Sequence, residues 1–391
     1  MNPPQTSVYL GSRSRSARAE ARKRRTEEAA RRANRRAYAL LVLVVAILNL
    51  FGLVMVLSAS SVTAIDQYGS PWYFFQRQAL WVSLGAAVAF VTSRVDYHKW
   101  VRGARPLLVL VVVLLVLVQL VGQEVNGSRR WLGIGSFGIQ PSEFAKLAMI
   151  LFCGELLARR ADRVDRTRLT LRPVMVVTAL VAGLIVVENL GTAILIAGIV
   201  VGMLFVAGTP LRSLLSVMVP ASGGAFTLAM LVPYRRSRIL AFLDPWADPQ
   251  AAGYQYIQAL VSASSGGWLG RGLGASREKF GWLPYAHTDF IFAIISEEVG
   301  VVGAFAVIGL FATFGVLGAR TAFHAPDALG RMLAAGTTIW VVLQAVVNMG
   351  AVLALLPITG VPLPFVSFGG SSMVVTMFAV GILLNVARQA K

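Results

Sequence analysis

The chain is short of the groups that keep a protein in water. Of its 391 residues 14% are charged, against 56% apolar or aromatic, and its mean hydropathy is +0.69. A soluble domain is nearer a quarter charged. That deficit excludes a soluble enzyme, a disordered protein and a coiled coil. Cysteine is nearly absent: Cys153 stands alone, which excludes a disulfide framework and a Cys-rich metal site. Acidic residues are scarce too, 18 against 36 Lys and Arg, for a net charge of +18. In a membrane protein that imbalance bears first on topology and anionic lipid; no nucleic-acid partner is expected.

What the chain has is apolar runs near twenty residues long, the length of a membrane-crossing helix. The alternating segments of about ten residues typical of a β-barrel are missing. The expected fold is an all-α polytopic membrane protein with about ten transmembrane helices. These fall near 38–63, 76–93, 105–122, 141–158, 172–187, 189–207, 212–232, 288–318, 329–355 and 368–387. The fifth and sixth are nearly continuous around Glu188-Asn189-Leu190-Gly191. Residues 1–37 hold eleven Lys/Arg against three Glu and almost no bulky apolar side chain. They cannot bury a core and read as a disordered or partly helical cytoplasmic tail. Small residues from Leu57 to Ala64 imitate a signal-peptidase site, but the preceding run is too long for a signal peptide, so a retained first span is expected. Most Lys/Arg fall in the tail and in alternate loops, which puts both termini inside. Residues 38–391 then form the transmembrane domain, with one long outer loop at 233–287. Loops of that length usually carry function.

Ionisable groups inside spans are functional suspects. The fourth span opens with Gln140-Pro141-Ser142-Glu143-Phe144-Ala145-Lys146. Glu143 and Lys146 share a helix face and can pair, either as a plain helix-start neutralisation or as working groups. Before it lies Asn126-Gly127-Ser128-Arg129-Arg130-Trp131. Outer-face arginines run against the charge rule and suit an anion such as phosphate, or else snorkel at the interface. The long loop ends in Leu283-Pro284-Tyr285-Ala286-His287-Thr288-Asp289-Phe290. Here Thr288 or Asp289 is either a helix N-cap or, in the case of Asp289, a general base or metal-binding carboxylate. Glu297 and Glu298 are too far along and around a helix to pair with Asp289. Finally, Pro357 to Ser372 is too rich in Pro and Gly for regular helix. It reads as a re-entrant loop or connecting turn whose Gly369-Gly370-Ser371-Ser372 end offers N–H groups to an anion.

These pieces, in this order and over nearly the whole membrane region, resemble the SEDS family (shape, elongation, division and sporulation) of peptidoglycan polymerases. Phe242-Leu243-Asp244-Pro245-Trp246, Gly253-Tyr254-Gln255, Gly270 to Gly274 and Ser276-Arg277-Glu278-Lys279 resemble its division branch more than its elongation branch. Tyr285 departs from that branch, which often has Glu there. The resemblance implies polymerisation of lipid II into β-1,4 glycan with release of undecaprenyl pyrophosphate, at the septum of a bacterial plasma membrane. It implies Asp289, Glu143 and Lys146 as catalytic residues, Asp289 acting as base or as ligand of a divalent cation (Mg or Mn), with no organic cofactor. Arg130, Trp131, Gln140, Lys279, His287, Thr288, Ser367, Gly369, Gly370 and Ser371 would bind lipid II or its pyrophosphate. The implied partners are a class B penicillin-binding protein of the FtsI type, other divisome membrane proteins and the bilayer. Two rival readings are a lipid II flippase and a non-catalytic scaffold. The candidate groups map to the outer half of the membrane, which favours outer-leaflet chemistry over transport.

Overall fold

The structure, a computed structural model, describes residues 6–125, 128–134, 137–161, 170–187 and 189–390. Helices dominate. The main helices are α1 (Thr6–Tyr68), α2 (Tyr73–Arg94), α4 (Ala104–Val121), α5 (Pro141–Arg159), α6 (Leu171–Val186), α7 (Leu190–Val206), α8 (Leu211–Leu231), α11 (Ile291–Phe323), α12 (Ala328–Val352) and α13 (Gly370–Gln389). A helix stands at the position of each expected span. Seven of them are long and apolar enough to cross a membrane by themselves: α1 from Arg35, α2, α4, α8, α11, α12 and α13. Helices α6 and α7 are apolar but shorter, and α5 carries Glu143, Lys146, Glu155 and Arg159. Short α3 (Tyr97–Arg102), capped by the Asp96 side chain, turns the chain between α2 and α4.

Two expectations change. The fold is not purely helical: a small antiparallel sheet, β1 (Gln123–Val125), β2 (Ser128–Ile134) and β3 (Phe137–Ile139), fills the turn between α4 and α5. Its β-branched and aromatic residues are strand formers too few to register as a period. The 233–287 loop holds two helices, α9 (Pro233–Leu243) and α10 (Tyr254–Ser265), with a 3-10 turn at Pro245–Ala247 between them. Helix α1 starts at Thr6, ahead of its apolar span, in keeping with the partly helical alternative for the basic segment.

The core sits where α5, α7, α12 and α13 meet. Most of α12 and α13 is buried, whereas α2, α4 and α8 are mainly exposed. Small residues let backbones approach, as in other membrane bundles. A Cβ at Gly52 of α1 would stand 2.7 Å from the Phe365 carbonyl oxygen, and one at Gly191 of α7 would stand 2.5 Å from the Thr359 side chain. Both glycines therefore seat the same segment, the irregular stretch between α12 and α13.

Helix α11 breaks at Gly300, whose φ of 76° favours glycine. The break frees carbonyls that the 233–287 segment satisfies: Arg271 and Gly272 donate N–H groups to the Glu297 and Glu298 carbonyls, each at 3.0 Å. The Glu297 carboxylate accepts from Ser262 (3.0 Å), Ser276 (2.7 Å) and the Arg277 N–H (2.8 Å). The Glu298 carboxylate accepts from Ser58 and pairs with Lys279 at 3.3 Å. These buried acids therefore bolt the 233–287 segment to the bundle.

Candidate active site

A cavity of about 430 Å³ opens where β2, α9, the turn before α11, and the α12–α13 connection converge. Arg130, Trp131, Gln140, Thr288, Asp289, Gly369 and Ser371 line it, together with Asn189, Tyr234, Arg238, Gln255 and Tyr285. The small sheet is what delivers Arg130 and Trp131: the Trp131 ring lies over Gly138 of β3, where any Cβ would come within 3.0 Å of it. Helix α9 delivers Arg238. Its neighbour Arg235 donates to the Val186 and Val187 carbonyls at 2.6 and 2.8 Å, so α9 is anchored on the end of α6.

Asp289 precedes α11 and does not cap it. The helix begins after Phe290 with no side-chain cap, and Thr288 donates its hydroxyl back to the Tyr285 carbonyl at 3.1 Å. Tyr285 itself adopts φ 59°, a conformation strained for any side chain but glycine, and such strain gathers at functional sites. The carboxylate of Asp289 lies beside Gly360: a Cβ there would be 3.5 Å from Oδ2. Gly360 has φ +65°, so both conformation and clearance favour glycine at that position.

The backbone around Asp289 is held by three amides from inside the helices. Asn348 of α12 donates to the carbonyls of Asp289 and Val361, both at 2.8 Å. Gln344, one turn away, donates to Pro362 at 2.8 Å. Gln78 of α2 donates to the Ser367 carbonyl at 3.1 Å and accepts from the Gly369 N–H at 3.2 Å. Ser367 bridges the Leu363 N–H and the Thr288 carbonyl. The segment Pro357–Ser372 is thus buried irregular backbone covered by protein, the form tolerated at membrane depth.

Burial pushes the Asp289 carboxyl up to about 6, against the lowering pull of Arg130 and Arg238. It remains mostly ionised at neutral pH and is basic enough to take a proton, the balance a general base needs. Burial pushes His287 down to about 4, so at neutral pH it is uncharged, packed against Phe74 and Phe368.

Six sequence candidates stand away from the cavity lining. Glu143 and Lys146 pair at 2.8 Å inside the bundle, where Lys146 also donates to Gln344 at 2.9 Å and sits 5.0 Å from the Trp340 ring. Lys146 thereby reaches the site only through Gln344, which holds Pro362. Lys279 is committed to Glu298 and the Gly274 carbonyl. His287 and Ser367 buttress the turn, and Gly370 packs on Trp81. Asn126, Gly127 and Glu188 lie outside the described residues. Sequence reasoning missed Arg238, Gln78, Gln344 and Asn348. The signals existed: Arg235, Arg236 and Arg238 break the charge rule just as Arg129 and Arg130 do, and amides within apolar spans are costly unless used.

The donor set around Asp289 does not fit a resident divalent cation. It offers one carboxylate between two guanidiniums, and among the described residues no group of three His, Cys, Asp or Glu could hold a metal.

The family model for the FtsW/RodA/SpoVE cell cycle proteins matches residues 38–391. The chain belongs to that family. It is an FtsW-like peptidoglycan glycosyltransferase of the cell-division type and a multi-pass membrane protein. It is 41% identical over 358 residues to the probable peptidoglycan glycosyltransferase FtsW of Geobacter metallireducens, covering 90% of this chain and 96% of that one. It is 40% identical over 355 residues to stage V sporulation protein E of Bacillus subtilis, covering 90% and 97%. Among solved structures it resembles one from "Structural coordination of polymerization and crosslinking by a peptidoglycan synthase complex" (TM-score 0.73, 30% identity, 89% of this chain and 97% of that one). It also resembles RodA of Thermus thermophilus (TM-score 0.66, 29% identity, 90% and 96%). The family match begins at residue 38, so the basic extension of α1 lies outside it.

Proposed function

We propose that this FtsW-like enzyme polymerises lipid II on the outer leaflet, with Asp289 as general base. The acceptor 4-hydroxyl oxygen attacks the anomeric carbon of the donor as Asp289 takes the hydroxyl proton. The bond from that carbon to the pyrophosphate oxygen breaks, and undecaprenyl pyrophosphate leaves with the electron pair. Arg130 and Arg238 stabilise the charge that develops on the leaving group.

The observation that carries this reading is the boundary between two cavities. A second, mostly apolar cavity of about 500 Å³ runs between α7, α8 and α12, lined by Leu190, Ile194, Phe226, Ala229 and Leu343 among others. Arg130, Asn189, Tyr234, Arg238 and Ile358 line both cavities. Lipid II has that sequence of parts: an apolar polyprenyl tail, a dianionic pyrophosphate link, then polar sugars. A cation accompanying the pyrophosphate, Mg²⁺ or Mn²⁺ with Asp289 as its one carboxylate ligand, is the form in which a metal would enter.

The wider setting is proposed with it: ten crossings with both termini cytoplasmic, action at the septum, and a class B penicillin-binding protein of the FtsI type as partner among other divisome proteins. The likeness to a protein from a peptidoglycan synthase complex supports a partner of that kind. Lipid II polymerisation by the purified protein with its transpeptidase, compared with Asp289→Asn, tests the reading. Glycan chains from wild type and none from the variant support it; equal chains from both refute it.

A further inference from the structure

Tyr285 holds a backbone conformation that the preceding stretch of chain reserves for glycine. Between residues 266 and 284 φ is positive at Gly267, Gly270, Gly272, Gly274 and Gly281, and at no residue with a side chain. Position 285 takes φ 59° with a tyrosine. Among the described residues Ala354 and Phe365 do likewise. Ala354 is small, and Phe365 is 2% exposed against Phe314, so packing offsets its strain. Tyr285 is 44% exposed, and its ring has no such burial. The turn sets the conformation: the Tyr285 carbonyl accepts from the Thr288 N–H (3.0 Å), the Thr288 hydroxyl (3.1 Å) and the Phe290 N–H (3.4 Å). Those bonds use only the main chain of residue 285, and glycine or asparagine would make them with less strain. The turn therefore accounts for the φ and not for the ring.

We propose that the Tyr285 ring is a platform for a sugar of lipid II, the acceptor pyranose whose hydroxyl meets Asp289. Tyr285 lines the cavity that holds Asp289 and does not line the second, apolar cavity. It therefore stands at the sugar end of the site, away from the place of the polyprenyl tail. The same turn carries both residues, so a ring packed on Tyr285 lies within reach of Asp289. One face of a pyranose carries mainly C–H groups. An aromatic ring accepts that face and leaves the hydroxyls at the edge free for polar partners. The strain at Tyr285 is then the cost of placing a ring where the turn alone asks for none, and such costs gather at ligand sites. The identity of the sugar rests on the glycosyl transfer proposed above.

The test measures binding by the full purified protein without its transpeptidase, in an Asp289→Asn background so that nothing turns over. The probes are lipid II and undecaprenyl pyrophosphate, which has the same tail and link but no sugar. Tyr285→Asn should weaken lipid II binding about tenfold, the scale of one aromatic contact, and leave undecaprenyl pyrophosphate binding unchanged. Tyr285→Phe and Tyr285→Trp keep a ring and should keep the affinity for lipid II. Because Asn tolerates positive φ, Tyr285→Asn should hold or raise the unfolding temperature while it loses the sugar. With Asp289 restored, the same variant should raise KM about tenfold with a smaller change in kcat. Unchanged lipid II binding in Tyr285→Asn, or a loss in Tyr285→Phe as large as in Tyr285→Asn, would overturn the proposal. So would a lower unfolding temperature with equal weakening of both ligands, which marks a purely structural residue. The two readings fail separately. A chain with Tyr285 intact that binds neither ligand refutes the proposed function together with this inference; unchanged lipid II binding in Tyr285→Asn refutes this inference alone.

Discussion

The side-chain amide of Asn348 donates to the backbone carbonyl of Asp289 at 2.8 Å, while the same nitrogen holds Val361. The proposed base is thus fixed not by its own helix but by α12, through its main chain. Asn348→Ala should therefore lower kcat with little change in KM. It should also destabilise the fold by about 1–3 kcal/mol, because two buried carbonyls lose their donor. Steady-state kinetics and thermal unfolding read the two effects; an unchanged kcat would detach Asn348 from the site.

The pH profile follows from Asp289. Its carboxyl is pushed up to about 6 by burial, so the rate should fall as pH drops through that value and the base is protonated. Arg130 and Arg238 pull in the opposite direction. Removing either as Arg→Gln should move the acid limb to higher pH. A limb that shifts downward, or stays put, contradicts the assignment of this titration to Asp289.

Arg238 and Arg235 differ in task though three residues apart. Arg238 faces the cavity; Arg235 is spent on the α6 carbonyls. Arg238→Gln should cost about 10²-fold in rate, the usual loss for one charge-stabilising donor. Arg235→Gln should instead lower stability, with chemistry largely preserved in the folded fraction. Reversed outcomes would mean that α9 is placed differently.

Glu143 and Lys146 form a buried pair away from the cavity lining. Removing one partner strands a charge and should cost about 3–5 kcal/mol, whereas E143Q/K146M should recover most of the stability. If the double variant recovers activity as well, the pair positions Gln344 and the loop it holds. If it is stable yet inactive, one of the two acts on substrate.

The helices were legible in the sequence because hydrophobic length is a one-dimensional signal: a helix stands at each expected position, and seven of the described ones are long and apolar enough to cross a membrane. The small sheet was not, since a strand of three residues has no measurable period. The site was half legible. Arg130 and Asp289 stand out as charges where the membrane discourages them, yet nothing in their separation of more than 150 residues says that they share a cavity. Lys279 looked equally suitable, and only its burial against Glu298 separates it from Arg238. Gln78, Gln344 and Asn348 were visible as amides in apolar runs. Their meaning depends on which carbonyls they face, which is a property of the packed bundle.

The most direct test of the central claim is polymerisation of lipid II by the purified protein with its transpeptidase, wild type against Asp289→Asn, at neutral pH and across the acid limb. Asn is close in shape, and Asp289 caps no helix, so the variant should fold and hold its partner. Wild type should make glycan chains with an acid limb near pH 6, and Asp289→Asn should fall by about 10²–10⁴-fold at every pH. Chains of equal yield from both would contradict the account.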